Sequence, residues 1–301
     1  MEKNHKKGIL FAVFTAVLWG FLPLALKVST YSIAPVTVAW SRFMIAFALL
    51  LSIFIIRYPK GLKIFIKPPV LLFIAAIGLT INYVGAIHGV HYTSPSNMQI
   101  LMQLAPMMLV ISGILIFKEK VSRSQVLGML TAFIGFTLFY GDQYQGGNTN
   151  NQSLLTGMAW VFCGALGWTL YAVLQKKLTE KHNPQELNLI IYGFPIFLLM
   201  PLTDLDVFVG LEINFWLVLI FLGINTLLAY GSLSEAFRYT DANKIGMIIT
   251  LNPIITIFTM QLLGLADVQW IDHEKIGLFG LLGAFMVVSG AIIAVRKPKR
   301  A

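Results

Sequence analysis

The chain has 301 residues, of which 57% are hydrophobic and only 12% charged, and it carries a formal net charge of +9. An ordinary soluble domain is about 25% charged, and even a large soluble domain leaves much of its surface in water, so the solvent this chain is built for is lipid. The one cysteine, Cys163, sits in an apolar run and excludes an intramolecular disulfide or a thiolate metal cluster.

In chain order, ten apolar segments are each long enough to cross a hydrocarbon layer of about 30 Å as a helix. The first half holds Gly8–Leu26, Ala34–Ile56, Pro69–Val90, Tyr92–Phe117 and Ser124–Gly141. The polar stretch Asp142–Ser153, rich in glycine and asparagine, reads as a turn-forming linker. The second half holds Ser153–Gln175, Leu187–Thr203, Phe215–Phe237, Ile245–Ala266 and Ile276–Val295. The first segment follows Lys3, Lys6 and Lys7 as a signal peptide would. No small-residue cleavage pattern follows it, and it matches the sixth segment, so it is expected to be retained.

The halves repeat. Gly8 and Trp19 recur as Gly157 and Trp168 at the same spacing, and Tyr92, Thr93 and Pro106 recur as Tyr239, Thr240 and Pro253. Five crossings per unit force the second copy to enter from the opposite side. The expected fold is therefore an all-α membrane protein of ten transmembrane helices in two inverted five-helix repeats, residues 1–142 and 154–301, joined by an extracytoplasmic linker at 143–153. Charge supports this count. Lys3, Lys6, Lys7, Arg57, Lys60, Lys63, Lys67, Lys118, Lys120, Arg123, Lys176, Lys177, Lys181, Arg238, Lys244, Arg296, Lys297, Lys299 and Arg300 all fall on one side. Asp142, Asp204, Asp206, Glu212, Asp267, Asp272 and Glu274 fall on the other, with Lys275. Lysine and arginine mark the cytoplasmic side, so both termini are expected inside the cell membrane, and the basic charge reads as orientation rather than nucleic-acid binding.

Ten spans as five plus five, Trp19-Gly20 in the first, Pro35 and Arg42 opening the second, the Tyr92-to-Pro106 run, Glu119 in a charged turn and the spaced Gly128 and Gly135 together resemble the drug/metabolite transporter superfamily. The nearest branch is the EamA type of bacterial amino-acid and metabolite exporters. The resemblance covers nearly the whole chain, once per half. It implies a secondary transporter exporting or exchanging a small metabolite, an amino acid or related compound, by alternating access. A vitamin, a nucleotide-like compound or a cationic amine is the alternative cargo. The repeat is not symmetric in chemistry: Ile191 stands where Arg42 would map, and extra residues near Asp267–Lys275 precede the last segment.

Polar residues within apolar spans nominate the site. Gln99 and Gln103 share one helix face, and Pro106 removes a backbone donor and frees the carbonyl of Met102. Asn252, Thr256 and Thr259 do the same beside Pro253, which frees Ile249. These groups either line a pore, with Asn82 and more weakly Asn225, or bond helix to helix. Trp19 and Trp168, with Tyr83, Tyr171 and Tyr192, either form an aromatic wall for substrate or simply pack. Arg42 either answers a substrate carboxylate or snorkels. His88 and Glu235, matched by the repeat (as are Tyr83 and Tyr230), either couple transport to protons or meet interfacial water.

Lys27 and Lys176 also correspond and read as anchors at helix ends. Gly128 with Gly135 and Gly283 with Gly290 give smooth faces for close helix packing or a homodimer through the fifth or tenth helix. No cofactor or metal is expected. A Gly-rich Lys-Ser/Thr phosphate loop is absent, as are His-Glu-x-x-His and Gly-x-Ser-x-Gly, so an intramembrane enzyme is the weaker reading and a receptor weaker still.

Overall fold

The computed structural model describes residues 5–117, 122–145, 150–240 and 242–295, and among them every regular element is helical. Lys3, Lys118, Glu119, Lys120, Arg296, Lys297, Lys299 and Arg300, together with the linker residues 146–149, lie outside the described residues. The long helices are α1 (His5–Ser29), α2 (Pro35–Arg57) and α3 (Val70–Tyr92). Then come α4 (Pro95–Leu101), α5 (Leu104–Phe117), α6 (Arg123–Gln145) and α7 (Asn151–Leu178). The chain continues with α8 (Pro184–Leu199), α9 (Ile213–Tyr239), α10 (Ala242–Ile249), α11 (Asn252–Leu265) and α12 (Leu278–Val295).

Among the described residues, eight segments are long and apolar enough to cross a membrane, against the ten expected. One of the two shortfalls has a local cause. The fourth expected segment is not one helix: the chain breaks at Met102 and Gln103 into α4 and α5, because Pro106 cannot donate to the Met102 carbonyl. The described part of the tenth is a shorter apolar helix, Leu278–Ala294. The ninth segment breaks likewise at Thr250 and Leu251, ahead of Pro253.

Helix ends follow the residue chemistry. Between α3 and α4, Thr93 bonds back to the Gly89 carbonyl at 2.6 Å, and Ser94 caps α4 by accepting from the Asn97 amide. Pro95 then opens α4, and the residue before a proline avoids the helical region. Lys27, at the last turn of α1, donates to the carbonyls of Val90, His91 and Thr93 at 3.4, 3.3 and 3.0 Å, satisfying the C-terminus of α3. Lys176 does the same for α9, donating to Phe237 at 2.8 Å and Thr240 at 3.4 Å. The other end of α1 sits at this second hinge, where Lys7 reaches the Tyr239 hydroxyl at 3.4 Å. Twenty residues of α1 separate Lys7 from Lys27, about 30 Å of helix at 1.5 Å per residue. The two matched hinges thus lie at opposite ends of the molecule.

Packing pairs α3 with α7, α9 with α1, α8 with α3, α2 with α9, and α6 with α12. Small residues make the tightest of these contacts possible. A methyl added to Gly135 would sit 2.6 Å from the Val287 amide and 2.7 Å from the Gly283 carbonyl. The smooth faces of the fifth and tenth expected helices are therefore spent on each other within one chain. Overpacking costs about 1–3 kcal/mol, so Gly135→Ala should unfold measurably earlier in thermal melts of the solubilised protein. Gly141→Ala, where an added methyl meets nothing within 4 Å, should melt as the parent does.

Candidate functional site

α1 carries Pro23 in its interior, which leaves the Trp19 carbonyl without its usual helical donor. In lipid no water fills that role. Gln99 of α4 does, donating from Nε2 to the Trp19 carbonyl at 3.3 Å. Neighbouring carbonyls of α1 draw further side chains. Asn225 donates to Leu18 at 3.0 Å and Thr256 to Gly20 at 2.6 Å. The Asn252 amide, in its satisfied orientation, donates to Ala16 at 3.1 Å and Ile249 at 2.9 Å. Amides from α4, α9 and α11 thereby converge on one stretch of α1.

Beside that stretch lies a cavity of about 70 Å³, room for a few waters. Trp19, Arg42, Asn82, Tyr83, Gln99, Gln103, Trp168 and Asn252, all nominated from sequence, line it together. Tyr171 does not: its fully buried ring packs edge-on behind Tyr230 with centroids 5.6 Å apart, a second layer of the wall. Tyr192 is buried without touching the cavity. The expectation that broken helices offer free carbonyls is corrected. Met102 accepts from the Ala105 amide at 3.0 Å, and Ile249 is met by Asn252. Thr256 and Thr259 bond to backbone carbonyls, the latter to Ile255 at 2.7 Å, and neither lines the cavity.

His88 and Glu235 lie elsewhere. His88 stacks on Trp160 at 4.5 Å in the α3–α7 seam, its buried Nδ1 without a hydrogen bond. Glu235 accepts from Gln185 Nε2 at 3.2 Å in a separate vestibule of about 550 Å³ at the Lys176 end, with Glu186 on the same wall.

Among the wall residues that sequence reasoning did not nominate are Met98, Met102 and Tyr230. Met98 and Met102 lie one turn apart, next to Gln99 and Gln103, and their softness hid them among ordinary packing. Tyr230 was legible as the repeat mate of Tyr83. It donates to Asn82 Oδ1 at 3.2 Å and packs against Trp19 at 5.0 Å and Tyr83 at 5.7 Å.

The electrostatics centre on Arg42, which is 2% exposed. Its guanidinium lies 4.0 Å from the centre of the Tyr83 ring, and Nε donates to Thr226 Oγ1 at 3.3 Å. The Tyr83 hydroxyl donates to the same oxygen at 3.1 Å. Among the described residues no carboxylate pairs with Arg42. Face-on contact with an aromatic ring contributes about 0.5–2 kcal/mol, less than the several kcal/mol of burying a charge. The cavity wall also holds two buried polar atoms without hydrogen-bond partners, the Trp19 Nε1 donor and the Gln103 Oε1 acceptor. A cation without a carboxylate partner among the described residues, an unpaired donor and an unpaired acceptor thus belong to residues around one small space.

Thr226 is the test of this arrangement. Thr226→Val strands the Arg42 Nε and Tyr83 hydroxyl donors, at a cost of about 1–3 kcal/mol, and should lower the melting temperature. Thr226→Ser keeps the oxygen and should recover most of the loss.

The model of the EamA-like transporter family matches residues 6–141 and, a second time, residues 155–296. An uncharacterized transporter of Haemophilus influenzae is 33% identical over 297 residues, covering 98% of this chain and 96% of that protein. The uncharacterized inner membrane transporter YhbE of Escherichia coli K12 is 33% identical over 298 residues, covering 97% and 92%. A solved structure titled only "Crystal structure of protein" aligns with a TM-score of 0.68 at 16% identity, over 97% of this chain and 98% of that one, a likeness of fold.

Proposed function

The chain belongs to the EamA-like transporter family and is a multi-pass membrane transporter, and from that premise we propose that it exports or exchanges a small carboxylate-bearing metabolite, an amino acid above all, by alternating access. The observation that carries the cargo is Arg42. A buried guanidinium with no carboxylate partner among the described residues offers its planar fork to the carboxylate of a solute. In this reading Gln103 Oε1 accepts from the solute's amine, and the rings of Trp19, Trp168, Tyr83 and Tyr230 hold its apolar part, a role supported by their sharing the cavity lining. A cationic amine would suit the aromatic rings but would face the charge of Arg42.

Alternating access needs two related halves, and several observations support ten passes in two inverted units, residues 1–142 and 154–301. Exchanging α1 with α7, α2 with α8, α3 with α9, α4–α5 with α10–α11 and α6 with α12 maps α3–α7 onto α9–α1 and α2–α9 onto α8–α3, and maps α6–α12 and α2–α8 onto themselves. Under that exchange Lys27 on its hinge becomes Lys176 on the opposite hinge. The family model's double match has the same boundary. The end holding Lys7, Arg57 and Lys176 carries the basic residues, which favours both termini in the cytoplasm. We read the small cavity, about 70 Å³, as that of a state closed between the two openings.

Liposomes loaded with unlabelled amino acids should take up labelled α-amino acids by exchange, and should not take up the matching amines that lack the carboxylate. Arg42→Gln should lose most of that uptake at unchanged membrane abundance. Amines carried as well as acids would remove the carboxylate from the account; no exchange of any solute would remove transport of this class.

A further inference from the structure

The link between α11 and α12, residues 266–277, has no counterpart of similar length in the first half, where residues 118–122 connect α5 to α6. It lies at the Lys27 end, away from the start of α1 and the end of α12. We propose that this link is a strap that shuts the cavity at that end, with Glu274 as its latch on half-helix α4. The proposal rests on the alternating-access reading, since a strap of this kind must release for the cavity to open there.

The contacts reach α1 and the turn after it, α4, α6 and α11. Glu274 Oε1 accepts from the Ser96 amide of α4 at 3.0 Å. Tyr31, in the turn after α1, donates to Asp272 Oδ2 at 2.9 Å and accepts from the Asp272 amide at 3.0 Å. The Gly277 amide donates to Asp142 Oδ2 of α6 at 2.9 Å. Ile271, 4% exposed, is the apolar pin, seated against Leu24 of α1 and Met260 of α11. The element held down matters most. α4 has only seven residues and presents Met98 and Gln99 to the cavity, so it cannot swing out while its first turn is tied to the strap.

The latch is also titratable. Glu274 Oε2 is buried and takes no hydrogen bond, which an ionised carboxylate tolerates poorly. Burial accordingly pushes the Glu274 carboxyl above its ordinary range, against the opposing Ser96 hydrogen bond and Lys27 charge. A carboxyl that binds its proton more tightly when strapped than when released favours the strap in acid, and the strap loosens as pH rises through the raised value. From the packed elements Lys27, Tyr31, His91 and Asp142 surround this site. Within the strap, Asp272, His273 and Lys275 are its charged or titratable neighbours.

The test uses Met98→Cys in a Cys163→Ala background, in right-side-out vesicles. Reaction with a membrane-impermeant maleimide is normalised at each pH to the same protein unfolded in detergent, which removes the thiol's own pH dependence. Normalised labelling should be slow and should fall several-fold between about pH 7.5 and about pH 5.5. Tyr31→Phe, which removes one tie without touching the latch, should label several-fold faster than the parent at both pH values. Glu274→Ala should label fast and without pH response. Glu274→Gln, which keeps the acceptor and mimics the protonated acid, should label slowly at both. Parent-like labelling of Tyr31→Phe and Glu274→Ala would overturn the strap. A full pH response in Glu274→Gln would move the titration to His91 or His273 and overturn the latch. Labelling needs no cargo, so a protein that follows this pattern yet exchanges no amino acid keeps the strap and loses only the transport reading.

Discussion

Inside a bilayer the backbone has no water to fall back on, and this structure is organised around one place where the helix cannot supply its own donor. Pro23 leaves the Trp19 carbonyl unpaired in the middle of α1, and Gln99 answers it. Three more side chains, Asn225, Thr256 and Asn252, bond to carbonyls within a turn of it. These side chains come from α4, α9 and α11, so the stretch of α1 around Trp19 becomes a point where both halves meet. The short half-helices follow from the same chemistry: each break lies a few residues ahead of a proline, and its orphan carbonyl is met by a local amide or side chain.

Against that closed polar account, Arg42 is the imbalance. Ring contact with Tyr83 and one bond to Thr226 leave most of its donors unspent, and among the described residues no anion answers it. Structural arginines in membranes snorkel or pair. This one does neither, being 2% exposed and turned to a cavity. The asymmetry sharpens the point, because its repeat mate is Ile191, fully buried and apolar. The family match is shared between the halves, whereas the charge belongs to one.

The ends of the molecule differ as well. Lys27 and Lys176 cap equivalent hinges, yet only the Lys27 end carries the long α11–α12 link with Asp272 and Glu274. The Lys176 end opens instead into a roomy vestibule that holds Glu186 and Glu235. One end carries a hydrogen-bonded link and the other a separate vestibule, so the two ends are not alike.

Lipid solvent, helical class, the repeat landmarks and the polar part of the cavity wall other than Tyr230 were legible in the sequence, because polar residues are rare in apolar spans and each one stands out. Trp19, Asn82, Gln99, Gln103 and Asn252 could be nominated that way, and Arg42 by its charge. What the sequence could not decide was which polar groups face each other. Thr256 and Gln103 look alike along the chain, yet one is spent on the Gly20 carbonyl while the other keeps a bare acceptor in the cavity. His88 and Glu235 carry the right chemistry and the repeat matches them, but the fold sets them away from the cavity, one in the α3–α7 seam and one in a separate vestibule. Composition and periodicity fix the solvent and the helices, since those depend on each residue's own transfer energy. Partner choice depends on helix rotation and on long-range contacts, and only the assembled bundle determines those.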